Sequence, residues 1–295
     1  MRHLACIAIF GLGSFISPVH PTPGPSPQNQ ERGVESAFPS PSLENQENGV
    51  QPGFSSPSPR FKGRGWGGVD SGKSNAHPLN VLVLYSDDQR YNTIHALGNN
   101  VIQTPNLDRL VKQGVAFTRA QTMGGMHGAL CVPSRAMLHT GRYLNDLQKT
   151  GDVIPAEHTT LPEYLQTKGY QTYAIGKWHN DKASFARSYT GGAALYFGGM
   201  HFPKDGGQEH PQFVNYDPSG QFKEPNQNAS TYSSELYANE AIKFLNQQTT
   251  TSKPFYCYVA FTSPHDPRTP TEKYRKLYSK EQVPLPANFL PPTPV

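Results

Sequence analysis

The chain has 295 residues and a formal net charge of +4, with 35% hydrophobic residues and 3 cysteines. So small a net charge, spread over mixed signs, does not indicate nucleic-acid binding, and three cysteines are too few for a disulfide framework. The hydrophobic fraction is low because much of the N-terminal quarter is rich in proline, which indicates a disordered segment joined to a folded one.

The N-terminus begins with a short basic stretch and an apolar run, "RHLACIAIFGLGSFIS" (2–17), that is too short to span a bilayer. This pattern predicts a signal peptide over residues 1–20, a secreted or periplasmic protein and no membrane span. Residues 21–78 are dominated by Pro, Ser, Gly, Asn and Gln and contain a tandem duplication, so they are predicted to be a disordered linker. The folded domain is expected to comprise residues 79–295.

From Leu79 onward, strand-like and helix-like segments alternate. Strands are predicted in "NVLVLYSDD" (80–88), "VAFTRAQT" (115–122), "YQTYAIGKWH" (170–179) and "PFYCYVAFTSPHDP" (254–267). Helices are predicted over 104–114, over a stretch ending in Thr-Gly (140–141), over 159–169 and over 233–248. In the first of these, Thr104 and Pro105 suit the first turn. This order predicts an α/β fold with a mostly parallel sheet and helices on both faces. Residues 181–232 show no clear period and are expected to form loops or a short hairpin.

Polar residues follow the predicted strands at their carboxyl ends, where parallel sheets bind ligands. They are Asp87, Asp88, Lys177, His179 and His265. Two adjacent carboxylates, without a Cys or His pair at zinc spacing, indicate Ca²⁺ or Mg²⁺. The alternative is that the first carboxylate caps a turn and the second is solvated.

A tetrahedral anion could be surrounded by Arg135, Lys177, His179 and His265. Each of these residues alone also has an ordinary structural interpretation, as a surface charge or a hydrogen-bonded loop residue. Cys131 could be a thiol nucleophile with His179 as its base. A disulfide between Cys131 and Cys257 is another possibility, although "PFYCYVAF" favours a small core residue at position 257.

Two segments, "ALCVPSRAMLHTG" (129–141) and "GYQTYAIGKWH" (169–179), resemble the signature segments of type I sulfatases. "NVLVLYSDD", "TPNLDRL" and "SPHDP" are also similar to segments of this family, so the resemblance covers about residues 79–270. It implies an alkaline-phosphatase-like fold and hydrolysis of a sulfate ester. It also implies that a maturation enzyme oxidises Cys131 to formylglycine, and that the substrate is a sulfated small molecule or glycan.

The resemblance assigns a role to each matched position. Asp87, Asp88 and an oxygen of formylglycine 131 would ligate the metal, usually calcium and less often magnesium. Arg135 would hold the formylglycine and metal geometry, and Lys177 would contact the sulfate oxygens. His179 would hydrogen-bond the hydrated aldehyde, and His265 would lie near the leaving-group oxygen.

The sequence after His265 departs from the family pattern. Sulfatases supply further metal ligands from a downstream Asp-Asn or Asp-His pair, followed by a smaller C-terminal subdomain, and nothing matches these here. We therefore expect a truncated sulfatase. Two alternatives are a phosphonate or phosphate ester hydrolase of the same superfamily, and an inactive fragment.

Overall fold

The computed structural model describes residues 4–10, 78–128, 130–147, 150–217, 219–225, 227–285 and 289. The tandem duplication, the predicted linker up to residue 77 and most of the predicted signal peptide lie outside these residues. Within the described part of the chain, seven strands form one sheet in the order β1-β2-β7-β3-β4-β5-β6. The strands are β1 (Leu4–Phe10), β2 (Asn80–Ser86), β3 (Gln171–Lys177), β4 (Gly191–Tyr196), β5 (Val214–Tyr216), β6 (Phe222–Lys223) and β7 (Phe255–Ala260).

Neighbouring strands pair in parallel along the first five positions of the sheet, β1, β2, β7, β3 and β4. Strands β5 and β6 add an antiparallel edge. The helices are α1 (Pro105–Gln113), α2 (Cys131–Thr140), α3 (Leu161–Thr167), α4 (Lys182–Ser188), α5 (Ser233–Gln247) and α6 (Glu272–Arg275). None of the described helices has the length and apolar composition that a membrane crossing requires.

The sheet is buried on both faces because successive strand residues alternate between two hydrophobic clusters. In β7, Tyr256 and Tyr258 face the cluster that contains Ala136 of α2 and Phe185 of α4. Cys257 and its neighbour Val259 face the other cluster, which contains Tyr237, Ala241 and Phe244 of α5. Helices therefore cover both faces, and the predicted fold class is confirmed.

Helix boundaries follow local sequence signals. Thr160 accepts a hydrogen bond from the Glu163 amide while the Glu163 carboxylate accepts one from the Thr160 amide, so this pair begins α3 with a capping box. Gly141 ends α2 with φ 65°, a conformation that glycine adopts without strain. Thr104 precedes α1, but its hydroxyl donates to Asp108 Oδ1 rather than accepting from the helix backbone.

Three sequence predictions need correction. Residues 115–122 form no strand, because no described strand pairs with them. Val115 and Phe117 are 83% and 84% exposed. The strand predicted over 254–267 ends at Ala260, well before His265, since residues 263–267 form turns and bends. Residues 181–232 contain α4, β4, β5 and β6 as well as loops, so the expectation of loops or one short hairpin was incomplete.

The segment predicted to be a signal peptide includes β1, which pairs with β2 over seven residues, from Leu4 opposite Asn80 to Phe10 opposite Ser86. Cys6 of this strand is exposed. The signal peptide stays a prediction.

Candidate active site

The predicted site residues lie at one edge of the sheet, where β2, β3 and β7 end; we call it the carboxyl edge. Asp87 directly follows β2, and Lys177 is the last residue of β3. The loop after β7 folds back to this edge, since the Asp87 amide donates to the Ser263 carbonyl at 3.2 Å. Strand order therefore brings together residues that are far apart in sequence.

A glycine sets how closely β3 approaches β7. Gly176 has φ 85°, and a Cβ at this position would lie 2.0 Å from the Ala260 carbonyl oxygen. Any larger residue would be strained and would clash with backbone. The same point of β3 carries an irregularity in its pairing with β4, between Ile175 and Lys177, which sets the start of the loop that contains His179.

Helix α2 delivers Cys131 and Arg135 to the carboxyl edge. Cys131 is the first residue of the helix and is half-buried. Arg135 lies four residues later, on the same face one turn along, and is fully buried. The Tyr85 hydroxyl lies 2.8 Å from Ser134 Oγ and links the helix to β2. The N-terminal end of a helix also carries partial positive charge, which favours an anion beside Cys131.

Asp87, Arg135 and Lys177 form a buried charge network, which we call the inner cluster. Lys177 Nζ donates to Asp87 Oδ2 at 2.5 Å, and Arg135 Nη2 lies 3.6 Å from the same oxygen. Arg135 Nη1 also donates to the Lys177 carbonyl at 2.7 Å and to the Tyr258 hydroxyl at 3.0 Å. The Gly199 carbonyl accepts a further hydrogen bond from Lys177 Nζ.

The inner cluster carries one carboxylate against two cations. Burial alone would raise the pKa of Asp87, but Arg135 and Lys177 outweigh it and hold this pKa below its usual value. Burial would lower the pKa of Arg135, yet Tyr258 and Asp87 raise it. Burial and the neighbouring Arg135 lower the pKa of Lys177, against the pull of Asp87. With all three groups ionised, the cluster has a surplus positive charge.

Cys131, Asp88 and His265 lie further out and form what we call the outer rim. His265 Nε2 is 3.5 Å from Asp88 Oδ2, and the Asp88 side chain is 37% exposed. The Cys131 side chain, as a hydrogen-bond partner, raises the pKa of His265 against the effect of burial. Asp88 has φ 53°, an uncommon conformation for a non-glycine residue that often marks functional sites.

His179 lies in the loop after β3 with φ 71°, so it too has an uncommon backbone conformation. Burial, with Lys177 adding repulsion, lowers its pKa to about 3. The ring packs against Gly199, where a Cβ would lie 3.3 Å from Nε2. His179 is therefore a neutral imidazole at physiological pH.

Sequence reasoning did not identify four residues that support this site. Tyr85 places its ring 4.7 Å from the Arg135 guanidinium, Tyr258 accepts from Arg135, and Gly199 accepts from Lys177. His139 is fully buried in contact with Tyr258 and Trp178 rings. The alternation of Tyr with apolar residues in β7 could have indicated Tyr258, whereas nothing in the sequence indicated the other three.

A divalent cation fits this site only in part. Asp87 and Asp88 supply oxygen donors, but one Asp87 oxygen already accepts from Lys177. Among the described residues, no group of three or more His, Cys, Asp or Glu side chains gathers to hold a metal. Because Ca²⁺ takes about six to eight oxygen ligands, these two carboxylates are not a complete metal centre.

Comparisons with known proteins identify the family of this chain. The Sulfatase family model matches residues 79–289. The chain is 28% identical to N-acetylglucosamine-6-O-sulfatase of Bacteroides thetaiotaomicron, covering 71% of this chain and 35% of that protein. It is 27% identical to an ulvan-active sulfatase of Formosa agariphila, covering 72% and 40%. The chain thus spans less than half the length of these curated relatives.

A solved structure in complex with its substrate D-glucosamine-2-N,6-O-disulfate also resembles this chain, at 25% identity and a TM-score of 0.57. The match covers 71% of this chain and 39% of that one. The shared fold and the match of the family model over most of the chain lead to one conclusion. This chain belongs to the type I sulfatase family of the alkaline-phosphatase superfamily.

Proposed function

We propose that this protein hydrolyses a sulfate ester of a carbohydrate, with Cys131 as the precursor of the nucleophile. The observation that carries the proposal is the position of half-buried Cys131, which begins the helix whose Arg135 belongs to a buried cluster with surplus positive charge. A sulfate ester is an anion, and fixed cations stabilise the negative charge that develops on its oxygens. The names of the two curated relatives and the substrate of the solved structure support a sulfated sugar.

Formylglycine fits position 131. We propose that a maturation enzyme oxidises Cys131, which belongs to the C-x-P-S-R sequence and is not fully buried. Once formed and hydrated, formylglycine supplies a hydroxyl nucleophile for the sulfur atom. Overall, water and the sulfate ester give the free alcohol and hydrogen sulfate.

The residues of the chain would bind the ester and move protons. Lys177 would contact the sulfate oxygens, while Asp87 and Arg135 fix its position. His265, whose Nε2 lies 3.5 Å from Asp88 Oδ2, would donate a proton to the leaving alcohol. His179, whose pKa is lowered to about 3, stays neutral and would hydrogen-bond the hydrated aldehyde at position 131. The two histidines would therefore differ in role, one in proton transfer and the other in hydrogen bonding.

We further propose that Asp87 and Asp88 contribute to a divalent cation site, because Ca²⁺ and Mg²⁺ both prefer oxygen ligands; the family resemblance makes calcium the expected ion. The adjacent carboxylates at the end of β2 support this, although no third His, Cys, Asp or Glu side chain joins them in a metal-holding group among the described residues. A calcium titration by calorimetry tests it. We expect Asp88→Asn to abolish calcium binding; unchanged binding by this variant would exclude Asp88 as a ligand.

The activity is tested by sulfate release from N-acetylglucosamine 6-sulfate, using the chain produced with a maturation enzyme. We expect Cys131→Ala to lower kcat/KM by about 10⁴-fold or more, as loss of a nucleophile does. Gln247→Ala, at an exposed position at the end of α5, is the control and should retain activity. Faster turnover of an aryl phosphonate than of an aryl sulfate would instead favour a phosphonate ester hydrolase.

A secreted or periplasmic location is also part of this proposal, supported by the basic and apolar pattern of residues 2–17. Cell fractionation of the full chain tests it. Retention in the cytoplasmic fraction would overturn this location.

A further inference from the structure

A cavity of about 330 Å³ opens near the end of β4. This volume is at the lower end of the range for small-molecule sites, about 300–1,000 Å³. Its lining comes from the start of α4, the end of β4 and the segments that flank β5 and β6. The lining residues used below are Lys182, Tyr196, Phe197, Gln212, Glu224 and Gln227.

One short segment takes part in both the cavity and the inner cluster. Tyr196 and Phe197 line the cavity, and Gly199, three residues after Tyr196, accepts from Lys177. Three peptide units separate the Tyr196 and Gly199 Cα atoms by at most about 11 Å. The Trp178 amide also donates to the Tyr196 carbonyl at 2.8 Å, which fixes the end of β4 beside the end of β3.

The segment between the cavity and Lys177 is held in place by side chains. The Tyr196 hydroxyl donates to the Met200 carbonyl, and the Tyr196 ring lies 4.0 Å from the His201 ring. His201 Nε2 is in turn 3.0 Å from the Tyr237 hydroxyl, and His201 is buried. The relative position of the cavity and the inner cluster is therefore fixed by the fold.

The chemistry of the lining suits an uncharged sugar ring. Gln212 and Gln227 offer amides that both donate to and accept from hydroxyl groups. Phe197 offers an aromatic surface, and the ammonium of Lys182 lies 5.5 Å from its ring centroid. The lining has one cation, Lys182, and one anion, Glu224, so its formal charges cancel. This neutral lining contrasts with the surplus positive charge of the inner cluster.

We propose that this cavity binds an uncharged sugar ring adjacent, in the same glycan, to the ring that carries the sulfate. The inference rests on the proposed function for the sulfated ring, and it adds a subsite and a preference for chains of at least two sugars. The inner cluster would then recognise the sulfate, while the cavity recognises the neighbouring unit.

Calorimetry on the full-length Cys131→Ala chain, which is not expected to turn over ligand, tests the subsite. The two probes are N-acetylglucosamine 6-sulfate and 6-sulfo-N-acetyllactosamine, which adds an unsulfated galactose to the same ring. We expect the disaccharide to bind more tightly. Combining Gln212→Ala and Gln227→Ala should weaken its binding roughly five- to hundredfold, the effect of losing about two net hydrogen bonds, and should leave the monosaccharide Kd unchanged.

Gln247→Ala is the matched control, because Gln247 is exposed at the end of α5 and does not line the cavity. Equal affinity for the two probes overturns the subsite, as does a disaccharide advantage that survives the double substitution. The proposed function is tested separately by sulfate release from wild-type protein. If no sulfate is released but the disaccharide still binds more tightly than the monosaccharide, the proposed activity is overturned and the subsite is retained.

Discussion

The inner cluster and the outer rim differ in how far their charges are satisfied within the fold. Asp87 of the inner cluster is buried and contacts both Lys177 and Arg135. Asp88, the next residue, has a partly exposed side chain whose ion-pair partner is His265 at 3.5 Å. Two adjacent carboxylates thus have different environments. We infer that the first holds the site together and that the second is available to a ligand.

The largest effect that separates the two regions is expected for Asp87→Asn. This change leaves Arg135 and Lys177 buried without a carboxylate, and breaking a buried ion pair in this way costs about 3–5 kcal/mol. Denaturant unfolding measures the loss. A variant as stable as wild type would show that the inner cluster does not hold the carboxyl edge together.

Lys177→Met tests the role of the second cation of the inner cluster. It leaves Asp87 paired with Arg135 and removes only the surplus cation, so the free energy of unfolding should fall less than in Asp87→Asn, by about 1–3 kcal/mol. Binding of a sulfated sugar, measured by calorimetry, should be lost. Retention of that binding would contradict the assignment of Lys177 to the sulfate.

His139→Leu tests the aromatic layer behind the inner cluster. Burial, reinforced by Arg135, lowers the His139 pKa to about 3, whereas the unfolded chain binds this proton below its ordinary pKa of 6.5. Unfolding therefore takes up a proton between these two values, and stability falls as the pH drops through this window. The slope from this one group is about 1.4 kcal/mol per pH unit.

The leucine variant should lose this acid sensitivity, as measured by denaturant unfolding at a series of pH values. Neither ring nitrogen of His139 has a hydrogen-bond partner among the described residues, so leucine should cost little at neutral pH. His127→Leu, at an exposed position, is the control. An unchanged pH slope in His139→Leu would contradict the buried neutral imidazole.

The smallest effect on stability is expected for Asp88→Asn. Its side chain is partly exposed and its contact with His265 is long, so the free energy of unfolding should change by less than about 1 kcal/mol. Sulfate release should nevertheless fall strongly. A loss of stability as large as that of Asp87→Asn would remove the distinction between the inner cluster and the outer rim.

The sequence predicted the parts of the fold that local patterns specify. The apolar run of β2, the Thr-Pro start and Gly end around α3, and the polar residues at strand ends were all readable. β4 was missed because "GGAALY" lacks β-branched residues, and its strand conformation depends on pairing with β3 and β5. Residues 115–122 show the reverse case, a strand-like sequence without a described partner.

For the site, the sequence predicted which residues take part but not how they contact one another. Position at strand ends and the C-x-P-S-R motif indicated the residues of the carboxyl edge. The contacts of Arg135 with the Lys177 carbonyl and the Tyr258 hydroxyl were not predictable, because they join segments 42 and 123 residues apart. The contrast between Asp87 and Asp88 was equally hidden, since it depends on which side chain reaches Lys177.

The central claim, that Cys131 becomes the nucleophile of a sulfatase, is tested most directly by mass spectrometry. The peptide containing Cys131 would be analysed from protein made in a host with a formylglycine-generating enzyme. We predict that its thiol is replaced by an aldehyde, which reacts with a hydrazide probe, while the Cys257 peptide keeps its thiol. An unmodified thiol at Cys131 under these conditions would contradict the account.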